Sequence, residues 1–124
     1  MFLLVGAFLE KGRISVSETF GISDLIIVFF VGIIEETVFR SWLLNVTIGE
    51  QKKWVLVIIN SFMFLFIHFP SWIYQGCFVK NFQNLSFLSP ILLSIIFSWT
   101  FIKNKNIWIP ILLHIYWDLF MLLF

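Results

Sequence analysis

The chain has 124 residues, of which 60% are hydrophobic and 12% charged, with a formal net charge of +1. A soluble domain carries about 25% charged residues, so this composition and a mean hydropathy of +1.01 point to one compact polytopic membrane unit. The small net charge speaks against a nucleic-acid-binding module, and the single cysteine, Cys77, excludes an intrachain disulfide and a cysteine-built zinc site.

The N-terminal "MFLLVGAFLEKGR" is apolar only as far as Leu9, too short to span a bilayer. It lacks the basic leader and small-residue cleavage site of a signal peptide. Residues 1–21 therefore read as an N-terminal arm or the remnant of a preceding helix, and 22–124 as the transmembrane core. Segment A covers roughly 22–47, with Ser23 and Asp24 as candidate caps. "GEQKK" (49–53) is a tight polar turn, and segment B runs from Trp54 to about Phe69, stopping at Pro70. The connection "PSWIYQGCFVKNFQNLS" follows, its Trp72 and Tyr74 suited to the headgroup level. Segment C covers about 87–102, with Pro90 tolerated in its first turn. After "KNKN" (103–106), segment D runs from Ile107 to the end, again with a proline, Pro110, in its first turn. The expected fold is an all-α membrane helix bundle of about four transmembrane helices, A–B and C–D being antiparallel neighbours. Lys52, Lys53, Lys103 and Lys105 at the tight turns, against Lys11, Arg13 and Lys80 opposite, lean those turns toward the cytoplasm.

Few ionisable residues lie inside the segments: Glu35, Glu36 and Arg40 on A, His68 on B, and His114 and Asp118 on D. Bilayer insertion penalises each, by about 2.5 kcal/mol or more for a charge at mid-depth. Glu36 and Arg40, four apart with the acid first, share a helix face and suit an ion pair. Glu35 lies about 100° round the helix, so it is the carboxylate left unclamped. Taken singly, each group has a bland reading: a bundle staple, a core histidine, a local His–Asp pair. Together they place ionisable groups on three of four segments, and the least penalised arrangement is one shared polar pocket. Counting about 1.5 Å per residue from the tight turns, Glu35, Glu36, His114 and Asp118 lie about 10–18 Å deep, near the middle of a core of about 30 Å. His68 is the outlier, at about 21 Å.

Three chemistries use such a set. In amide hydrolysis, Glu35 takes a proton from water, His68 helps orient that water, and His114, placed by Asp118, stabilises the carbonyl oxygen. In a metal site, His68, His114 and a glutamate would be ligands, with zinc as one such metal, although the "HExxH" signature is absent. The third is proton or ion transfer. Ser41 and Ser61 lack a "GxSxG" elbow, and Cys77 in a connecting segment is more simply an interfacial thiol than a nucleophile.

The motifs resemble those of the CAAX-protease and bacteriocin-processing (Abi-type) family of intramembrane glutamic endopeptidases. "EETVFR" (Glu35, Glu36, Arg40) resembles EExxxR, "FLFIH" (Phe64, His68) resembles FxxxH, and "HIYWD" (His114, Asp118) resembles HxxxN/D. Each is weak alone; all three in order on predicted membrane helices are strong together. The resemblance implies a larger family fold of which this chain is the minimal core or a truncated member. It implies Glu35 as the base with His68, Glu36 and Arg40 as organisers, and His114 and Asp118 as the oxyanion pair. It also implies no catalytic metal, although the family was long described as metal-dependent. Asp118 departs from the Asn of the eukaryotic prenyl-protein proteases, since an ionised carboxylate can only accept. That favours a membrane-associated peptide or protein substrate in a bacterial cell membrane over a prenylated one. The alternatives are a non-enzymatic immunity or peptide-binding protein of the same fold, and a metal-dependent peptidase.

Overall fold

The computed structural model describes residues 21–44 and 53–123. Apart from Gly21, the expected N-terminal arm lies outside these residues, as does the "GEQKK" turn up to Lys52. The described residues are all helical in their regular structure: α1 (Ile22–Glu36), continued by a π-helical segment (Thr37–Leu44), α2 (Lys53–Phe66), α3 (Phe69–Tyr74), α4 (Phe78–Gln83), α5 (Leu88–Asn104) and α6 (Trp108–Leu123). The four segments expected from the sequence correspond to α1 with its π-helical continuation, α2, α5 and α6.

Local chemistry sets the helix ends. Asp24 Oδ2 accepts the Gly21 N–H at 2.9 Å, closing the start of α1. Lys105 is left-handed (φ 52°) and donates its N–H to Phe101 O at 2.8 Å, which ends α5. Asn106 Oδ1 then accepts the Trp108 N–H at 2.9 Å and opens α6. The helical run Lys53–Tyr74, spanning α2 and α3, is long and apolar enough to cross a membrane; α5 and α6 are apolar but shorter. The most extensive contacts are α2 on α5 and α1 on α6. The tight-turn neighbours α5 and α6 also touch, while α2 meets segment A through the π-helical part.

The bundle is polar inside and apolar outside. Its buried side chains include Glu36, Arg40, Asn60, Ser61, Ser94, Ser98 and His114 beside Val28, Phe39, Leu44, Val57, Phe64, Leu65, Phe97 and Ile111. Ile27, Phe30, Leu92 and Leu112 face outward with more than half their surface exposed. In water such a surface would aggregate; in lipid it is the solvated face. This is an all-α membrane helix bundle.

The connection after Pro70 is more ordered than the sequence suggests. It carries α3 and α4, with chain reversals at Gly76 (φ 66°) and Leu85 (φ 57°). Aromatic packing fixes it: Phe69 meets Phe78 at 5.1 Å, and Phe82 stacks on Phe87 at 5.0 Å.

Candidate active site

Glu36 sits at the junction of α1 and the π-helical segment, wholly buried. Its Oε1 accepts from Arg40 Nη1 at 3.1 Å and from His114 Nδ1 at 2.8 Å. With the guanidinium already on that oxygen, Glu36 acts as an acceptor, so His114 presents Nδ1–H to it. The same geometry leaves Nε2 of His114 facing two other carboxyls, Asp118 Oδ2 at 3.5 Å and Glu35 Oε2 at 3.7 Å. A second proton on Nε2 would make the ring an imidazolium at ion-pair distance from both carboxylates. The Glu35 side chain keeps 24% of its surface exposed against none for Glu36. The division expected from the helix angle is present: one carboxylate clamped, its neighbour not.

Arg40 is held from α5 as well. Its Nη2 donates to Ser94 Oγ at 2.9 Å and to Ser94 O at 3.2 Å, and its guanidinium lies 4.8 Å from the Phe64 ring centroid and 5.4 Å from that of Phe97. Phe97 also stacks on His114 at 5.3 Å. These contacts answer how a buried guanidinium is tolerated: anion, hydroxyl, carbonyl and ring faces surround it. Sequence reasoning missed Ser94, because segment C carries no ionisable residue away from its ends. It missed the Asn60–Ser98 hydrogen bond (3.2 Å) between α2 and α5 for the same reason. The signal available was two serines four apart in "SIIFS" on a helix face between apolar residues.

His68 reaches the site through a break in the helix. Pro70 has no N–H to donate, and the ladder loosens before it. The His68 N–H turns to Leu65 O at 3.0 Å instead of to Phe64 O. The freed Phe64 carbonyl accepts the imidazole Nδ1–H at 2.8 Å. A carbonyl only accepts, so Nδ1 carries hydrogen, and in the neutral ring Nε2 is the acceptor. His68, His114 and Asp118 line one cavity of about 350 Å³, together with Phe64 and Trp117 among others. His68, the outlier of the depth count, thus shares a cavity with His114 and Asp118 of segment D. Glu35 is not among the residues lining that cavity, and it has no hydrogen bond or ion pair with His68; it meets the cluster at His114 Nε2. Among the described residues no three His, Cys, Asp or Glu side chains are arranged to hold a metal ion.

The close approach of α1 and α6 depends on Gly32. A Cβ at that position would lie 2.7 Å from Ile115 Cγ1 and 3.7 Å from the Ile115 backbone nitrogen. Ile115 follows His114 directly, so the glycine sets the distance over which His114 reaches Glu36.

The model of the type II CAAX prenyl endopeptidase Rce1-like family matches residues 19–120. The chain belongs to this family. The match runs through all three motifs, and it bears out the resemblance read from EExxxR, FxxxH and HxxxD. The Rce1-like family is a protease family embedded in membranes, which accords with the apolar exterior around a polar interior. Neither a curated relative nor a solved structure matches the chain.

Proposed function

We propose that this Rce1-like protein is an intramembrane endopeptidase that hydrolyses a peptide bond with a glutamate-activated water. Glu35 takes a proton from water, and the resulting hydroxide adds to the scissile carbonyl carbon. His68, with Nδ1–H spent on Phe64 O, offers Nε2 to orient that water. The oxygen of the tetrahedral intermediate receives a hydrogen bond from Nε2–H of His114, which with Nδ1–H also on Glu36 acts as the imidazolium. The proton on Glu35 then passes to the leaving amine as the C–N bond breaks. Glu36, Arg40 and Asp118 organise and balance charge around His114. The observation that carries this reading is the contrast between adjacent carboxylates: Glu36 is wholly buried and held through Oε1 by both Arg40 and His114, its Oε2 bonding no described residue, whereas Glu35 is partly exposed and 3.7 Å from His114 Nε2.

The reading needs no resident metal. Its substrate is a membrane-associated peptide or protein, and its setting is a bacterial cell membrane. Cleavage of quenched fluorescent peptides by the purified protein in detergent micelles tests it. Turnover that survives a strong chelator supports a metal-free peptidase; activity lost to chelator and restored by zinc supports the metal-dependent alternative. Peptide binding without cleavage supports the immunity or peptide-binding alternative.

A further inference from the structure

A peptide bond brought into a dry site must keep its N–H and C=O paired. A helix bundle has no free strand edge on which to lay an extended peptide, because its backbone groups are spent on their own ladders. Side chains must do that work. The cavity holding His68 and His114 is walled by apolar rings, but three of its lining residues are neutral and polar: Asn81, Ser86 and Ser89. All three come from the connection and the first turn of α5, apart from the ionisable cluster. Asn81 carries a donor and an acceptor on one amide, the complement of a peptide group. Its Nδ2 lies 3.5 Å from Cys77 Sγ, a weak contact that sets the amide's direction without using its carbonyl oxygen.

The position of these residues is held firmly. Asn81 O accepts the Phe87 N–H at 3.4 Å, tying α4 to the turn before α5. Phe69, Phe78, Phe82 and Phe87 pack ring on ring around that tie. A plain surface connection needs no such packing; a wall that must keep a fixed distance from His68 does. The anchoring also runs through Trp72, which meets both Phe82 (6.4 Å) and His68 (6.1 Å).

We propose that Asn81, with Ser86 and Ser89, forms a backbone-binding subsite that receives an extended, apolar peptide segment, with its side chains against Phe64, Trp72 and Trp117. This rests on the peptidase reading, in which His68 and His114 of this cavity act with Glu35, which lies outside its lining. Recognition is of the peptide group itself, so blocked termini are accepted.

The probe is a fluorescent Leu- and Phe-rich octapeptide, acetylated and amidated at its ends, titrated against the full chain in detergent micelles. A second version carries N-methyl groups on its central peptide bonds, which removes their N–H donors. The wild-type protein should bind the N-methylated peptide about tenfold more weakly, the scale of one or two lost hydrogen bonds. Asn81→Ala should lose that discrimination while retaining its helical circular dichroism, and the Ser86→Ala/Ser89→Ala protein should reduce it. Equal affinity for both peptides in the wild type, no binding at all, or discrimination unchanged in Asn81→Ala would overturn the subsite. Binding with discrimination but no cleavage would keep the subsite and sink the peptidase reading. Cleavage without discrimination would do the reverse.

Discussion

His114 Nδ1 and Glu36 Oε1 meet at 2.8 Å across the α1–α6 interface, on the same oxygen that takes the Arg40 guanidinium at 3.1 Å. Two adjacent glutamates therefore have different surroundings, and substitution should separate them. Glu36→Ala leaves a buried guanidinium without its anion, a loss on the scale of about 3–5 kcal/mol. Glu35→Ala removes only a long contact to His114 and should change stability by less than about 1 kcal/mol. Denaturant titration of the two variants in mixed micelles, followed by circular dichroism, reads the difference directly. Equal destabilisation would mean that Glu36 is not the organiser.

Ser94 reaches Arg40 through its hydroxyl at 2.9 Å and its carbonyl at 3.2 Å. Ser94→Ala removes the first and keeps the second. Hydrogen bonds to charged groups contribute about 1.5–3 kcal/mol, and the retained carbonyl puts the expected loss near the lower end. The same unfolding titration checks it, and Ser94→Thr, which keeps the hydroxyl, should lose less than Ser94→Ala.

At Gly32 two effects on stability are opposed. Alanine favours the helix by about 1 kcal/mol, while crowding against Ile115 costs about 1–3 kcal/mol. The net is a loss of up to about 2 kcal/mol, with α6 pushed away and His114 with it. Peptide cleavage should fall in Gly32→Ala. It should recover in Gly32→Ala/Ile115→Ala, which removes the atom that the new Cβ meets.

Pro70 acts on His68 through the backbone. In Pro70→Ala the ladder can close, and the His68 N–H can return to Phe64 O, displacing the imidazole Nδ1–H now bonded there at 2.8 Å. The fold should be unharmed, because proline in the first turn of α3 gives little that alanine lacks. The expected outcome is unchanged melting with reduced cleavage, and a shift of the His68 ring nitrogens in ¹⁵N spectra. An unmoved His68 signal would show that its position owes nothing to the break.

Much of this architecture is legible in the sequence because its strongest signals are penalties. Charges in apolar runs are conspicuous, so Glu35, Glu36, Arg40, His68, His114 and Asp118 stand out, and the spacing of four predicts the Glu36–Arg40 pair. Neutral polar residues carry no such mark. Ser94, Ser98 and Asn60 look like ordinary helix residues until the packing of α2 on α5 buries them. Gly32 is similarly silent, because its value lies in what stands opposite. The π-helical turn from Thr37 leaves no trace in composition, and the helices α3 and α4 follow from a cluster of aromatic contacts rather than from any local period. A count along the helix cannot show that His68 shares a cavity with His114, because that depends on how α2 and α6 pack.

The proposed chemistry rests on Glu35 as the base, and kcat/KM of Glu35→Gln against the wild type on a single cleaved peptide tests it most directly. Glutamine keeps the size and loses the base, and general-base catalysis contributes about 10²–10⁴-fold. A fall of at least about 100-fold with unaltered folding is the expected result. Cleavage by Glu35→Gln at close to the wild-type rate would contradict it.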